Sequence, residues 1–420
     1  MHERRIPEWV RHAPTPGVRG FAVLAGFEAV VRGILISVFP LEVYRALGDA
    51  AMVSALYFAV GVVSLIVGLL VPALTARMPR RWVYSVGAAM FVGAAIGAST
   101  GLPELVVAAL VINTIATVIC FVCLNAYVLD YIAKADLGQC ETSRMFYSAL
   151  GWTVGPLAGV TLMALWQPAP FVISGGAALS MLAVFWFLRL GNGKLIVRAR
   201  SAAPNPLGYL PRFFRQPRLV AGWLFAVIRS CGWWVYIVYL PIFAIEQGLG
   251  EQVGGLVLSF SNGCLFLAPV ILRWVRRQSL RRAVRGAFAA ACLCFGAAAA
   301  VSEIHPAATV LCLLVGSMWL IVLDLCGGLP FLMAVKPSER TEMSAIYASY
   351  RDVSGFVTPG VAWLVLLVAP VAAVFAAGAA AHLAAFVIAG RLHPRLGQAR
   401  IRMEPAPARI VPPPDGQLSS

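Results

Sequence analysis

Six ionisable residues interrupt long apolar stretches of this 420-residue chain: Glu28, Arg32, Arg229, Asp324, Arg351 and Asp352. If those stretches cross a bilayer, each such side chain is costly unless paired or wet, and such residues mark ion paths, proton relays or ligand sites. Glu28 and Arg32 are four residues apart, one helical turn, and are placed to pair directly. Arg351 and Asp352 are adjacent and point in different directions, so one of them is expected to meet Asp324 or Arg229 across a helix boundary. Three acids and three bases make the set neutral overall. An acid in such a setting can change protonation, because burial disfavours its charged form and a nearby Arg opposes that shift. Glu28 and Asp324 are the first candidates for proton carriers, with Asp352 third. Arg229 and Arg351 are candidates to bind a substrate anion or restrain the acids, and Arg32 to hold Glu28. Asn262 and Tyr236 are weaker candidates for substrate contact, with packing or helix bridging as the competing reading. Two readings of the charges stay open: buried pairs that only fix helix register, or pairs that break and re-form during a cycle.

The elements that position these residues follow from composition. The chain is 60% hydrophobic and 12% charged, with mean hydropathy +0.83. Soluble chains carry about 25% charged residues. A spanning helix needs roughly 20 mostly apolar residues, and the apolar runs are continuous rather than alternating. The class expected is an all-α polytopic membrane protein with twelve transmembrane helices. Spans are placed near 20–41, 51–72, 83–101, 104–131, 146–166, 170–190, 219–245, 253–272, 284–302, 307–334, 343–368 and 370–390. Of the 33 Lys and Arg, 29 fall at the amino end, at every second connection, and at the carboxyl end. Cationic loops are retained in the cytoplasm, so both termini are expected there, in a multi-pass protein of the inner membrane. No cleavable signal is visible. Arg32, Arg45, Arg229 and Arg351 are the four exceptions. Counted from the cytoplasmic end of its span, each of the six charges lies roughly 8 to 13 residues in, which at about 1.5 Å per residue forms one layer near the midplane.

The longest connection divides the chain into two sets of six. The expected organisation is a cytoplasmic segment 1–19, a six-helix bundle 20–190, a cytoplasmic loop 191–218, a second six-helix bundle 219–390 and a disordered cytoplasmic tail 391–420. The loop mixes Leu210, Phe213 and Phe214 with arginines, which suits either an amphipathic segment on the inner leaflet or a solvated linker. A weak repeat supports two pseudo-symmetric halves. Span 5 is entered through Glu141-Thr-Ser-Arg144-Met-Phe-Tyr-Ser148, and span 11 through Glu339-Arg-Thr-Glu342-Met-Ser-Ala-Ile-Tyr347-Ala-Ser349. Spans 1 and 7 each carry a midspan Arg.

Span 5 continues Gly151-Trp-Thr-Val-Gly155-Pro156-Leu-Ala-Gly159. Glycines spaced by four form a smooth stripe on which another helix packs closely, and Pro156 removes a backbone hydrogen bond. This spacing resembles the antiporter motif of fifth spans in the major facilitator superfamily, found in drug–proton antiporters. Pro72-Ala-Leu-Thr-Ala76-Arg77-Met-Pro79-Arg80-Arg81 resembles the superfamily's cytoplasmic loop signature between spans 2 and 3. It keeps the basic residues, but Pro72 and Pro79 replace expected glycines and Ala76 stands where an Asp is usual. That Asp helps latch the two halves. Asp130, Glu141 and Arg144 are candidates for a substitute, with ordinary interface charges as the alternative. The resemblance implies a secondary transporter working by alternating access between two rocking halves around a central site, and favours proton-coupled export of a small molecule. Uptake or facilitated diffusion, and a non-transporting assembly or receptor protein, are the alternatives.

Other classes are disfavoured. The net charge of +15 is scattered over short loops, with no basic domain carrying interleaved aromatics for nucleic acid. No phosphate-binding Gly-x-x-x-x-Gly-Lys loop is present, so the energy source must be an ion or solute gradient, with protons expected as coupling ion. An enzyme would need a reactive cluster at a membrane surface, whereas these charges lie at midplane. Cys120-x-x-Cys123 lacks a partner cluster and reads as small packing residues. His305 and His382 have no metal-spaced partner. No cofactor or metal is expected, and the partners are the substrate, protons and the lipid bilayer, with the protein as a monomer.

Overall fold

The computed structural model describes residues 17–133, 136–188, 209–335 and 340–392. The expected segment 1–19, the loop 191–218 and the tail 391–420 lie largely outside these residues. The described residues form α-helices with short π and 3₁₀ segments, and no strand. Among the described residues, eleven helical stretches are long and apolar enough to cross a bilayer: Val18–Leu47, Ala50–Arg77, Arg80–Ser99, Pro103–Tyr131, Leu137–Leu165, Ala169–Phe187, Pro217–Glu246, Gln252–Val275, Leu280–Val301, Pro306–Ala334 and Ala372–Ala389. These are spans 1 to 10 and span 12. Span 11 comes in two pieces, Arg340–Ala348 and Tyr350–Leu366, divided at Ser349. The protein is a twelve-helix polytopic membrane bundle.

Span 5 begins at Leu137, nine residues before the expected 146. Hydropathy sees only the part of a helix that is apolar. The turns from Leu137 to Met145 carry Gln, Glu, Thr and Arg, so that reading missed them although these residues continue the helix.

Packing partners display the internal symmetry. In the first half, span 1 packs on spans 5 and 6, and span 3 on spans 4 and 6; in the second, span 7 packs on spans 11 and 12, and span 9 on spans 10 and 12. Each pairing maps onto its counterpart by adding six. The halves meet where span 2 lies on span 11 and span 5 on span 8, which are also counterparts.

Spans 1 and 7 share another feature. Span 1 loses regular helix at residues 34–37 and resumes at Val38, and span 7 widens to a π turn at Val235–Tyr239 before resuming at Leu240. A proline follows each irregularity: Pro40 and Pro241 both fall in the first turn of the resumed helix, and neither has an N–H to continue the regular hydrogen-bond ladder. Both irregular turns face the interior between the halves.

Among the described residues the apolar core is in three parts. One cluster joins both halves, with Val38, Phe39 and Phe171 packed with Tyr239, Phe243 and Phe288. A second lies wholly in the first half around Phe21, Tyr84, Tyr127 and Phe185. A third lies in the second half, where Phe213 of the short helix Leu210–Phe214 is buried with Phe331, Val335 and Met343. The Phe213 end of the central connection is therefore docked on the second bundle, while neighbouring Phe214 remains exposed.

Candidate functional site

Among the described residues, two adjoining cavities lie between the halves. The first, about 470 Å³, is lined by Arg32, Arg229 and Arg351 together with Trp152, Trp233, Trp234 and Tyr350. The second, about 640 Å³, is lined by Glu28, Arg32, Glu141, Arg144, Asn262 and Arg351. Arg32, Trp152 and Arg351 line both, so the two volumes adjoin at those three residues.

The ion pairs around them are specific. Arg32 donates to Glu28 at 3.2 Å, one turn away, and its guanidinium lies 5.2 Å from the centre of the Trp152 ring. Arg229 Nε lies 3.0 Å from Asp324 Oδ1, in ion-pair contact but without hydrogen-bond alignment. The same carboxylate accepts 2.9 Å from the Trp233 indole N–H through its other oxygen. Arg229 also lies 5.1 Å over the Tyr350 ring. Arg351 donates to the Tyr350 hydroxyl at 3.1 Å and faces the rings of Phe121 and Tyr350.

The six charges are thus not one ring. Glu28, Arg32, Arg229 and Arg351 line the cavities. Asp324 lines neither of them but is tied to their wall through Arg229 and Trp233. Its partner is Arg229 of span 7, and the expected ion pair from span 11 is replaced by aromatic contacts through Tyr350. Asp352 lines neither cavity and is exposed on its own side of span 11. A helix turns about 100° per residue, which separates it from Arg351.

Asn262 and Tyr236 part company. Asn262 lines the second cavity and donates 2.8 Å to the carbonyl of Trp152. That carbonyl lacks its intrahelical donor because the residue four further on is Pro156. One turn away on span 8, Ser259 accepts from the N–H of Leu157 at 2.9 Å. Two polar side chains of one half therefore take the backbone groups around the proline of the other. Tyr236 lines neither cavity. It is 1% exposed, and its hydroxyl bonds Ser261 at 2.7 Å and the Val257 carbonyl at 3.0 Å.

Gly151, Gly155 and Gly159 face span 1. A Cβ on Gly151 would lie 2.7 Å from the Ala29 carbonyl carbon, and one on Gly155 2.6 Å from that of Gly33. Backbone meets backbone there, so neither position has room for a side chain.

The two ends of the bundle differ. At the end bearing the connections 48–49 and 247–251, Arg45 reaches both Glu42 of its own helix and Glu251 of the other half. Gln167 donates to Glu42 at 2.9 Å, and the Tyr44 hydroxyl donates to Glu246 at 3.2 Å. Deeper in, Tyr239 donates to Ser54 at 2.9 Å, again across the halves. This end is closed. Sequence reasoning flagged Arg45 only as a misplaced cation and missed Glu42, which is 6% exposed. Its spacing of three residues from Arg45 was the available signal.

At the opposite end the second cavity reaches residues that are widely exposed, Met145 at 73% and Phe146 at 72%. Arg80 pairs with Asp130 at 2.5 Å and covers the Tyr127 ring, while Arg144 pairs with Glu141 at 2.6 Å and donates to Asn125 at 3.0 Å. All of these contacts lie inside the first half. Arg77 is exposed, and Arg81 is half-buried with a partner of its own.

Residues 21–359 match the family model of the Major Facilitator Superfamily, and the chain belongs to that family of membrane transporters. Among solved structures it is similar to that of the nucleoside transporter NupG, with TM-score 0.69 and 14% identity over 90% of this chain and 99% of that one. A single-residue variant of the same transporter matches with TM-score 0.69 and 13% identity, covering 89% and 98%. No curated protein sequence matches the chain. At this identity the structural likeness speaks to the fold, and family and fold together make the protein a multi-pass secondary transporter of small molecules rather than an enzyme.

Proposed function

We propose that the protein exports a small molecule from the cytoplasm in exchange for protons, as a monomer in the inner membrane, with both termini cytoplasmic. The observation that carries the alternating-access reading is the pair of adjoining cavities, closed at one end by ion pairs that bridge the halves and reaching exposed residues at the other. The charge tally supports the assignment of sides. The reaching end carries the cation-rich even connections, so it faces the cytoplasm, and the described conformation is inward-open.

The antiporter-like motif of span 5 supports export, and Glu28 and Asp324 support proton coupling. Each has an Arg partner on the cavity wall. Protonation neutralises the acid and frees the Arg, and re-pairing expels the proton, so an Arg that changes partner as the halves rock links proton affinity to the accessible side. Asp352, exposed on span 11, is the third candidate.

The test is flux in proteoliposomes with and without an imposed pH gradient. Glu28→Gln and Asp324→Asn are expected to abolish gradient-driven flux and to retain exchange of substrate across the membrane. Unchanged gradient-driven flux in Glu28→Gln, Asp324→Asn and Asp352→Asn alike would eliminate the acid switch. Uptake is the second reading. The structural likeness to a nucleoside transporter makes nucleosides a substrate arm of that test, and the direction in which a pH gradient drives accumulation separates the two.

A further inference from the structure

The charges of the cavity walls do not cancel. Three of the four lining arginines have a carboxylate: Arg32 has Glu28 at 3.2 Å, Arg144 has Glu141 at 2.6 Å, and Arg229 has Asp324 at 3.0 Å. Arg351 has none within ion-pair distance among the described residues. Its contacts are the Tyr350 hydroxyl and two aromatic rings, which orient a guanidinium without neutralising it. A guanidinium offers five N–H donors in a rigid fork, and the Nε–Tyr350 bond uses one. The terminal fork that matches a carboxylate two-to-two remains.

The position of this residue matters as much as its charge. Arg351 is one of three residues lining both cavities, so it stands where the opening meets the deeper chamber. That chamber is flat-walled. Trp152, Trp233, Trp234 and Tyr350 line it, while Asn113 and Thr117 are among its few neutral polar groups. The polar tips of two of these rings are already engaged, Trp233 with Asp324 and Tyr350 with Arg351. Cavities of about 300–1,000 Å³ hold small organic ligands, and about 470 Å³ falls within that range.

We infer that the substrate is a monovalent organic anion with a planar aromatic body, its acid group held by Arg351 and its ring system lodged among the tryptophans. One anion gives the Arg351 guanidinium the ion-pair partner that the cavity wall does not supply, whereas a cationic substrate would be set against an unpaired guanidinium. This inference rests on the carrier reading above and narrows it. It gives Arg351 the part of a binding residue and leaves Arg32 and Arg229 to the acid pairs.

The experiment uses the full-length protein purified in detergent and three probes that share one ring system: 2-naphthoate, 2-naphthamide and 2-naphthylmethylammonium. Calorimetric titration is expected to show the acid binding at least about tenfold tighter than the amide, and the ammonium compound weakest. Arg351→Gln is expected to erase the preference of acid over amide while leaving amide binding in place, and Arg351→Lys to restore part of it. Retained amide binding shows that the variant is folded. Equal or tighter binding of the amide or the amine, binding of none of the three, or an acid preference that survives Arg351→Gln would each overturn the inference. Counterflow in phosphatidylethanolamine–phosphatidylglycerol vesicles separates the two levels of the argument. If naphthoate binds through Arg351 but neither it, the amide nor a nucleoside is moved, the carrier reading fails and the anion site stands. If a nucleoside or the amide is moved and naphthoate is not, the anion inference fails and the carrier reading stands.

Discussion

The two ends of the bundle contain similar residues in different arrangements. At the closed end the apolar core is shared, with Phe39 and Phe171 of one half packed with Tyr239 and Phe243 of the other, and Arg45 spans the seam to Glu251. At the open end each half keeps a core of its own, and the arginines Arg80 and Arg144 pair inside the first half. An arginine is thus a latch or a local brace according to whether its acid lies across the seam. Conformational bias should reside at the closed end, and the pairs at the open end should contribute to it only in the opposite state, where they exchange local partners for cross-seam ones.

The largest expected effect is therefore at Arg45. Arg45→Glu would leave three carboxylates in contact, and like charges juxtaposed across an interface cost several kcal/mol. The equilibrium should shift toward opening at that end. A cysteine placed at Ile36, on the wall of the first cavity, should react at least about tenfold faster with an impermeant maleimide applied from the side of the closed end, since tenfold corresponds to about 1.4 kcal/mol. An unchanged rate would show that the shared apolar core, not the ion pairs, holds this end shut.

Next comes the clasp on Pro156. Asn262 and Ser259 hold backbone groups at positions 152 and 157 across the seam, at the depth where the two regimes meet. Asn262→Ala leaves the Trp152 carbonyl without a donor, and an unsatisfied group of this kind costs about 1–3 kcal/mol. The variant should lose thermal stability by that order and gain accessibility at Ile36 by less than Arg45→Glu does. If it changes substrate affinity instead, Asn262 belongs to the ligand and the clasp is secondary.

How much of this was legible in the sequence depends on how local each relation is. The spans were legible because lipid selects on single residues along a run, and the i,i+4 pairing of Glu28 with Arg32 because it needs only helix geometry. The partner of Asp324 was not, because Arg229 and Arg351 lie at similar depth and only the packing of spans 7, 10 and 11 chooses between them. Tyr236 shows the same limit. A hydroxyl at mid-depth reads alike whether it faces a cavity or, as here, a buried knot with Ser261. Arg45 was visible as an exception to the charge tally, but its contact with Glu251 across 206 positions is a product of the fold.

Tyr236→Phe tests that limit. The knot at the Tyr236 hydroxyl lies outside both cavities, so its loss should cost about 1 kcal/mol of stability and leave probe binding unchanged. A loss of affinity without a loss of stability would return Tyr236 to the ligand's surroundings.

The smallest effect is expected at the open end, and it is the one that bears hardest on the comparison. Asp130→Asn removes the partner of Arg80 but leaves that guanidinium over the Tyr127 ring, with both side chains reaching water in part. Partly exposed pairs contribute about 0–1 kcal/mol. Because the pair closes within one half, its loss weakens the described conformation no more than the fold of that half, so accessibility at Ile36 should change less than about twofold. Two departures from this are informative in opposite ways. A shift toward opening at the closed end would mean that Asp130 already braces the described conformation, so the local pair is not local in effect. A shift the other way, with slower labelling from the closed end and impaired flux, would mean that Asp130 is a latch after all, one that meets its cross-seam partner only when the open end closes. That is the role the superfamily's missing loop Asp leaves vacant at Ala76, and the span 4 acid nearest Arg80 is the residue placed to take it over.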